Sequence, residues 1–347
     1  MSAAKIELGR HLFYDRRLSG NLTQSCASCH RQELAFTDGV ARPKGSTGEE
    51  HPRSAMSLAN VAYAPSLTWA NPNLATLEKQ TLVPMFGERP VELGLAGREG
   101  EMLERLRAEP LYPSLFEQAF PGDAEPIRLD AVVKAISAFE RSLISGDAPY
   151  DRFTQKGDLT AVSTSALRGR ELFFSEKLEC FHCHGNFLFA DAAKHTGTKI
   201  IEMLFHNTGL YNVDGAGAYP PGGEGLFEIT SAPADMGRFK APSLRNVAVT
   251  APYMHDGSIA SLDEAIDHYA AAGRTLAAGA YPGVGSLNPF KSEFIVGFTL
   301  DPTERADLKA FLESLTDQGF LTNPAFADPW PPAPPLASPA LGATFGP

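Results

Sequence analysis

Two copies of the motif C-x-x-C-H contain every cysteine in the chain. Residues 26–30 read CASCH and residues 180–184 read CFHCH. Two thiols about one helical turn apart can each form a thioether with a haem vinyl group, and the adjacent histidine can then bind the iron. The sequence therefore predicts two covalent c-type haems, held by Cys26, Cys29, His30, Cys180, Cys183 and His184.

Other cysteine chemistry explains this pattern less well. A single C-x-x-C can be a redox-active disulfide, and two can form a four-cysteine zinc site. A zinc site leaves both following histidines without a role, and a thioredoxin-like motif requires a βαβ context that is absent here. We therefore favour haem attachment.

Size and charge limit the remaining possibilities. The 347 residues suggest about two domains. The net charge of −11 argues against nucleic acid or an anionic membrane surface as the main partner. No apolar run approaches the roughly 18 residues that span a bilayer, so we expect a protein that does not cross a membrane.

A repeated segment precedes each haem motif. Residues 8–14 read LGRHLFY and residues 168–174 read RGRELFF. We interpret this as a duplicated cytochrome c domain and predict a mainly α fold with two cytochrome c-like helical domains, each with one covalent haem, plus long irregular loops. The predicted boundaries are 1–155, 156–320 and a proline-rich C-terminal tail, 321–347.

Three further segments are predicted to be helical from their apolar spacing, and three to be irregular. The predicted helices are 101–108, 130–145 and 304–315. A polar segment at 146–161 is expected to join the domains, the glycine- and proline-rich loop 209–234 is expected to be irregular, and the proline-rich end from Asp328 is expected to wrap or be loose.

With both motifs in this layout, the chain resembles the bacterial di-haem cytochrome c peroxidase and MauG superfamily from about Leu8 to about Leu315. The supporting stretches are 8–20, 60–94 and 237–257. Residues 68–72 (TWANP) and 83–88 (VPMFGE) look most like MbnH-type MauG-like enzymes, which are associated with copper-handling operons.

The resemblance implies that the haem on His30 is the peroxidatic one, with an open or water-bound face where hydrogen peroxide can bind. By similarity, Glu92 is the acid–base group beside it, and Gln80 and Pro84 are its neighbours. A short insertion makes Glu88 a rival, and both glutamates could also be solvated loop charges. We expect His51 to be a loop residue, although a ligating histidine there would close the site.

The same resemblance assigns the path to the second haem. Trp69 matches a tryptophan between the two haems that relays electrons, although a buried structural role is the default for a lone tryptophan. The second haem, on His184, is expected to take Tyr269 as its other ligand, since MauG-like enzymes use tyrosine where peroxidases proper use methionine. Composition alone would favour Met254, or His255 beside it, and the weaker rivals are Met203, Met236 and His206.

Two further predictions concern charged groups. Arg238 and Arg245 are candidates for pairing with haem propionates, the alternative being ordinary salt bridges. The family binds calcium between the domains, and the matching positions here are Ser54, Thr250 and Pro252. Serine stands where the family has asparagine, and its neutral hydroxyl is a poorer calcium ligand.

Taken together, the resemblance predicts a MauG-like di-haem oxidase that uses hydrogen peroxide to oxidise a tryptophan of a partner protein by long-range electron transfer through a bis-ferryl state. The alternatives are a cytochrome c peroxidase with a small electron-donor protein and a plain di-haem electron carrier. Covalent haem attachment implies export, so we expect a periplasmic protein whose signal peptide has been removed.

Overall fold

The computed structural model describes residues 1–201 and 203–331, and it is mainly helical. Within these residues only two short strands pair, antiparallel, at Thr275–Leu276 (β1) and Gly283–Val284 (β2). The helices are α1 Ala3–Tyr14, α2 Leu77–Phe86, α3 Glu99–Ala108, α4 Tyr112–Ala119, α5 Leu129–Ser142, α6 Pro149–Lys156, α7 Thr164–Phe173, α8 Phe181–His184, α9 Phe227–Thr230, α10 Leu262–Ala270, α11 Pro302–Glu313 and α12 Gln318–Thr322. The predicted fold class is confirmed, and long irregular segments connect these helices.

The chain has two halves, one containing the haem motif at residues 26–30 and the other the motif at residues 180–184. Each half is built on one close crossing of two helices. Helix α1 crosses α5, and helix α7 crosses α11. A methyl group on Gly9 would lie 1.9 Å from the Ala135 carbonyl oxygen, and one on Gly169 would lie 1.8 Å from the Asp307 carbonyl oxygen. The glycine of each repeated G-R-x-L-F segment is therefore needed because no side chain fits between the two backbones.

Two apolar cores follow from these crossings. The first contains Leu12, Phe13 and Phe139 among its fully buried members and packs against Cys26. The second contains Phe173 and Phe311 and packs against Cys180. The two C-x-x-C-H motifs therefore belong to separate cores.

The duplication extends into loops where the sequence analysis did not identify it. Residues 57–62 (SLANVA) and 243–248 (SLRNVA) take the same conformation, with Asn60 and Asn246 both left-handed before a short 3₁₀ turn. Ser57 Oγ donates to the Ala35 carbonyl and Ser243 Oγ donates to the Leu188 carbonyl, each at 2.6 Å. These bonds anchor equivalent loops in the two halves.

The segment expected to be a polar connection contains helix α6. Asp151 in α6 is 2% exposed and forms a bidentate ion pair with the buried Arg245, at 2.7 and 3.0 Å. The connection between the halves is therefore anchored in the interior. The predicted irregular loop 209–234 is irregular except for the single turn α9 and a 3₁₀ turn that begins at Pro233.

The C-terminal segment returns to the first half. Helix α12 runs across the predicted boundary at residue 321. Trp330 donates from Nε1 to the His11 carbonyl at 3.0 Å, and its ring meets Tyr112 edge-on. The predicted wrapping of the tail is thus seen as far as Pro331, and residues 332–347 lie outside the described part. No helix in the described residues is long and apolar enough to cross a membrane.

Candidate di-haem site

The two histidines of the haem motifs are held in the same way. His30 Nδ1 is 2.7 Å from the Phe36 carbonyl oxygen, and His184 Nδ1 is 2.6 Å from the Phe189 carbonyl oxygen. A carbonyl acceptor places the proton on Nδ1 and leaves Nε2 free to bind a metal. Burial also lowers the pKa of both rings, which keeps them neutral as a ligand must be.

The cysteines fit thioether attachment better than zinc binding or a disulfide. All four are free thiols, and the pairs lie in separate cores. Among the described residues, the one cluster of three or more potential metal ligands is Glu176, Glu179 and His182, which contains no cysteine. Each pair therefore serves its own adjacent histidine, as two c-type haems require.

A largely apolar cavity surrounds the second motif. Cys180, Cys183 and His184 line it on the motif side. Leu188, Ile266, Leu308 and Leu312 are among its aliphatic walls. A cavity lined by aliphatic side chains and reached by two thiols and one free imidazole nitrogen fits a covalently attached macrocycle.

Tyr269 lines the same cavity from helix α10. Burial raises the pKa of its phenol, and the charges of Cys183 and Cys180 raise it further, so its hydroxyl lies near the second haem motif. Metal coordination would supply the positive charge that offsets this penalty. Ligation by Tyr269 stays a prediction.

The rival ligands are placed in different surroundings. Met254 lines the cavity and adopts a left-handed backbone, with φ of 70°. His255 stacks on Phe239 with ring centroids 3.7 Å apart, and burial lowers its pKa to about 3. His206 lies 3.3 Å from Asp191, and although burial opposes its charge, Asp191 and Cys183 raise its pKa to about 9. All three residues line the cavity, but the imidazole rings of His255 and His206 are held by other contacts.

Glu92 lies close to the first haem motif. Burial raises its pKa to about 7, and its charge raises the pKa values of Cys26 and Cys29 after the larger effect of their own burial. The Leu93 amide donates to the Pro84 carbonyl at 2.9 Å, which joins the Glu92 loop to helix α2. Gln80 and Pro84 both belong to α2, so the structure brings the three predicted distal residues onto two neighbouring elements. Glu88 is exposed.

His51 is nearer to Glu92 than the sequence suggested. Its Nε2 lies 3.9 Å from Glu92 Oε1, and burial lowers its pKa. Its Nδ1 accepts from the Arg53 amide at 3.1 Å, which fixes the ring within the loop. His51 is a loop residue, as expected, but one whose imidazole faces the candidate acid.

Trp69 lines the cavity of the second haem, and its Nε1 donates to the Ser54 carbonyl at 2.9 Å. Ser54, Thr250 and Pro252 line the same cavity, so the three predicted calcium positions lie around one space. Calcium binding and the relay role of Trp69 stay predictions.

The arginines predicted to pair with propionates are engaged elsewhere. Both terminal nitrogens of Arg245 bond to Asp151 and its Nε bonds to the Phe187 carbonyl, so each of its three guanidinium nitrogens already has a protein partner. Arg238 lies 3.6 Å from Asp235. Neither arginine lines the cavity. The structure favours the salt-bridge alternative for Arg245, because a buried guanidinium needs a fixed carboxylate.

Lys240, which lies between Arg238 and Arg245 in the chain, lines the cavity, although it was not among the residues predicted from the sequence. Its Nζ donates to the Ser66 carbonyl at 2.5 Å and its amide donates to the Trp69 carbonyl at 2.9 Å. Burial lowers the pKa of Lys240 to about 8. Its position in the same resemblance stretch as Arg238 and Arg245 was the available signal.

Two helical halves, each presenting a C-x-x-C-H histidine with a free Nε2, define a di-haem c-type cytochrome. A family model described as di-haem cytochrome c peroxidase matches residues 3–159. The methylamine utilization protein MauG of Methylorubrum extorquens is 34% identical over 315 residues, covering 91% of this chain and 79% of that protein. The chain belongs to the di-haem cytochrome c peroxidase and MauG family, and it is a haem-dependent oxidoreductase that acts on hydrogen peroxide.

The chain is also similar to a MauG-like protein and to a cytochrome c peroxidase. A crystal structure of a MauG-like protein associated with microbial copper homeostasis is 50% identical, with a TM-score of 0.93 and coverage of 95% of this chain and 94% of that one. The cytochrome c551 peroxidase of Pseudomonas aeruginosa is 29% identical over 266 residues, covering 77% of this chain and 71% of that protein. The family implies two haems, and its c-type class implies their covalent attachment.

Proposed function

We propose that this protein is a MauG-like oxidase that uses hydrogen peroxide to oxidise a tryptophan of a bound partner protein by electron transfer over a distance. The observation that carries the proposal is the joint position of Tyr269 and Trp69 on the cavity that His184 lines. The 50% identity to a MauG-like protein supports the same reading. Cys26, Cys29 and His30 would hold the haem whose iron offers a site where hydrogen peroxide can be reduced.

In this proposal, residues beside the first haem motif accept and donate the protons of the peroxide reaction. Cleaving hydrogen peroxide to two waters consumes two electrons and two protons. Glu92, with a pKa raised to about 7, can take the proton from the bound oxygen and return it to the leaving oxygen. The Gln80 amide can orient the peroxide by hydrogen bonding, and Pro84 limits the space beside it.

The two electrons would come from the substrate tryptophan, which loses them without touching the first site. Trp69 is the relay in this proposal, because its indole lines the cavity of the second site and its ring is fixed by the bond to Ser54. Tyr269 would stabilise the loss of electrons at the second site, since an anionic oxygen ligand favours the more oxidised metal.

A cytochrome c peroxidase is the second candidate, favoured by the position of Met254 in the cavity. Replacing Tyr269 with Phe removes the hydroxyl and distinguishes the two. If Tyr269 binds the second iron, the absorption and electron paramagnetic resonance spectra of one haem should change in Tyr269→Phe and stay unchanged in Met254→Leu. Tyr253→Phe is the matched control, because Tyr253 lines the same cavity while its hydroxyl bonds to the Val247 carbonyl.

The reverse spectroscopic result, a shift in Met254→Leu alone with loss of a near-infrared thioether band, would support the peroxidase instead. Two coordinatively saturated low-spin haems in the ferric protein would exclude an open peroxide site and leave a di-haem electron carrier.

The decisive experiment uses the holo-protein, hydrogen peroxide and a secreted, tryptophan-containing protein encoded beside its gene. Mass spectrometry of that partner should reveal an oxidised tryptophan. Trp69→Phe should reduce the yield, because the relay is removed while peroxide can still bind. A partner left unmodified, together with rapid peroxide reduction by a small electron-donor protein, would contradict the proposal.

Two accompanying proposals concern calcium and location. We infer a calcium site formed by Ser54, Thr250 and Pro252, and its removal by a chelator should alter the spectrum of the second haem because all three positions line that cavity. We also infer a periplasmic location, since covalent haem attachment implies export; fractionation of the native host tests this.

A further inference from the structure

Helix α5 carries two buried polar side chains on one face whose oxygen atoms lack partners among the described residues. Ser137 is 0% exposed and Glu140, one turn later, is 6% exposed. Ser137 Oγ and Glu140 Oε2 make no hydrogen bond. A buried oxygen of this kind is costly unless the group is neutral or a further molecule reaches it. The proposed peroxide chemistry uses neither residue.

Glu140 lies near the first haem motif, because helix α5 contributes to the core against which Cys26 packs. After burial, its charge is the largest cause that raises the pKa of Cys26. The neighbouring Phe139 packs on Phe13 with ring centroids 5.2 Å apart, and Phe13 lies 6.5 Å from the His30 ring. Since the charge of Glu92 also acts on Cys26, the first haem would lie near both acids.

The surroundings of Glu140 bring the titration of its carboxyl into the neutral to alkaline range. Burial raises its pKa to about 8. Arg141 opposes this shift and Glu78 adds to it, but these two pair with each other at 2.7 Å. The other titratable groups on the elements that pack against α5, and on the first haem motif, are Lys5, Glu7, Arg10, His11, Tyr14, Tyr63, Lys79 and Cys26.

We propose that Glu140, with Ser137 one turn away, is a proton store linked to the oxidation state of the first haem. Glu140 binds one proton from solvent when one electron enters that site from an external reductant, and it releases the proton when the electron leaves. The charge of a buried site is thereby kept constant, which avoids the cost of an uncompensated charge away from water. The Ser137 hydroxyl can hydrogen-bond to the acid or to a water that carries the proton.

The inference depends on the presence of the first haem and not on the identity of the oxidised partner. The test measures the midpoint potential of the first haem in the holo-protein by spectroelectrochemistry at pH values from 6 to 9. In the wild type the potential should fall as the pH rises, toward a limit of about 59 mV for each tenfold change in proton concentration. The second haem serves as an internal reference.

Glu140→Gln keeps the shape of the side chain but cannot bind or release a proton. In this variant the midpoint potential of the first haem should no longer change between pH 7 and 9, while the haem spectrum is retained. Glu117→Gln is the matched control, because Glu117 is an exposed carboxylate on α4 of the same half. Glu92→Gln should keep the slope near pH 8, which separates the two acids.

Three results would overturn the proposal: a pH-independent potential in the wild type, an unchanged slope in Glu140→Gln, or a slope lost in Glu92→Gln alone. If Glu140→Gln fails to take up haem, infrared difference spectra of the wild type on reduction above pH 7 decide the matter. The carbonyl stretch of a newly protonated carboxylic acid should appear, and its absence would contradict the proposal.

Discussion

At the scale of single residues, position in the fold separates side chains that look equivalent in the sequence. Glu88 and Glu92 are four residues apart, yet Glu88 is exposed and Glu92 has a pKa raised by burial to about 7. An acid that titrates near neutral pH can both accept and donate a proton during one turnover. The structure therefore favours Glu92 over its rival.

Replacing Glu92 with Gln should slow peroxide cleavage by about 10²- to 10⁴-fold, the usual contribution of a general acid–base group. In the wild type the cleavage rate should rise as the pH passes upward through about 7, because Glu92 must be ionised to accept the first proton. Stopped-flow spectroscopy at several pH values measures both effects. Glu88→Gln is the control, and an equal loss in that variant would transfer the role to Glu88.

At the scale of secondary structure elements, each half depends on two helices that touch through a glycine. Gly169 lies against the backbone of α11 at Asp307, just as Gly9 lies against α5 at Ala135. The repeated G-R-x-L-F pattern therefore indicates a packing requirement as well as a duplication. The phenylalanine of each pattern, Phe13 or Phe173, is buried beside the histidine that its half presents.

Replacing Gly169 with Ala should destabilise the protein by about 1–3 kcal/mol, the usual cost of overpacking a filled interface. The added methyl group meets a carbonyl oxygen, which cannot move without displacing helix α11. Gly100→Ala in α3 is the control, since nothing lies within 4 Å of the added atom. Urea denaturation of the holo-proteins measures the difference, and equal midpoints for the two variants would refute the packing argument.

At the scale of the whole molecule, buried polar contacts join segments that are far apart in the chain. The Asp151–Arg245 pair fastens helix α6 to the loop of the second half, with side chains 2% and 5% exposed. The C-terminal segment meanwhile closes on the first half through Trp330 and Tyr14, whose hydroxyl donates to the Phe326 carbonyl at 2.7 Å. The halves are thus connected by more than their covalent linker.

Asp151→Asn should destabilise the protein by about 3–5 kcal/mol, because it leaves the Arg245 charge buried without its counterion. Asp147→Asn is the matched control on the same segment, since the Asp147 side chain is 54% exposed and pairs only with surface lysine and arginine. Thermal unfolding followed by circular dichroism compares them. Similar midpoints for both variants would mean that the buried pair does not hold the halves together.

The sequence alone determined the covalent chemistry and the duplication. Thioether attachment and axial ligation are local, because two cysteines and a histidine within five residues need only one turn of backbone to meet a haem. The G-R-x-L-F repeats and the helical periodicity of α3, α5 and α11 are equally local, so those predictions hold. Glu92, Gln80 and Pro84 came from resemblance, and the bond from Leu93 to Pro84 explains why they lie together.

Only the tertiary structure decided which charged groups are free to act. The sequence predicts that Arg245 pairs with haem carboxylates, whereas in the fold its guanidinium pairs with Asp151, 94 residues away. Glu140 and the approach of His51 to Glu92 carry no local signal, because burial and proximity depend on how distant helices and loops pack. The strength of a charge and the pKa of an acid are set by that packing, and neighbouring residues in the chain do not report it.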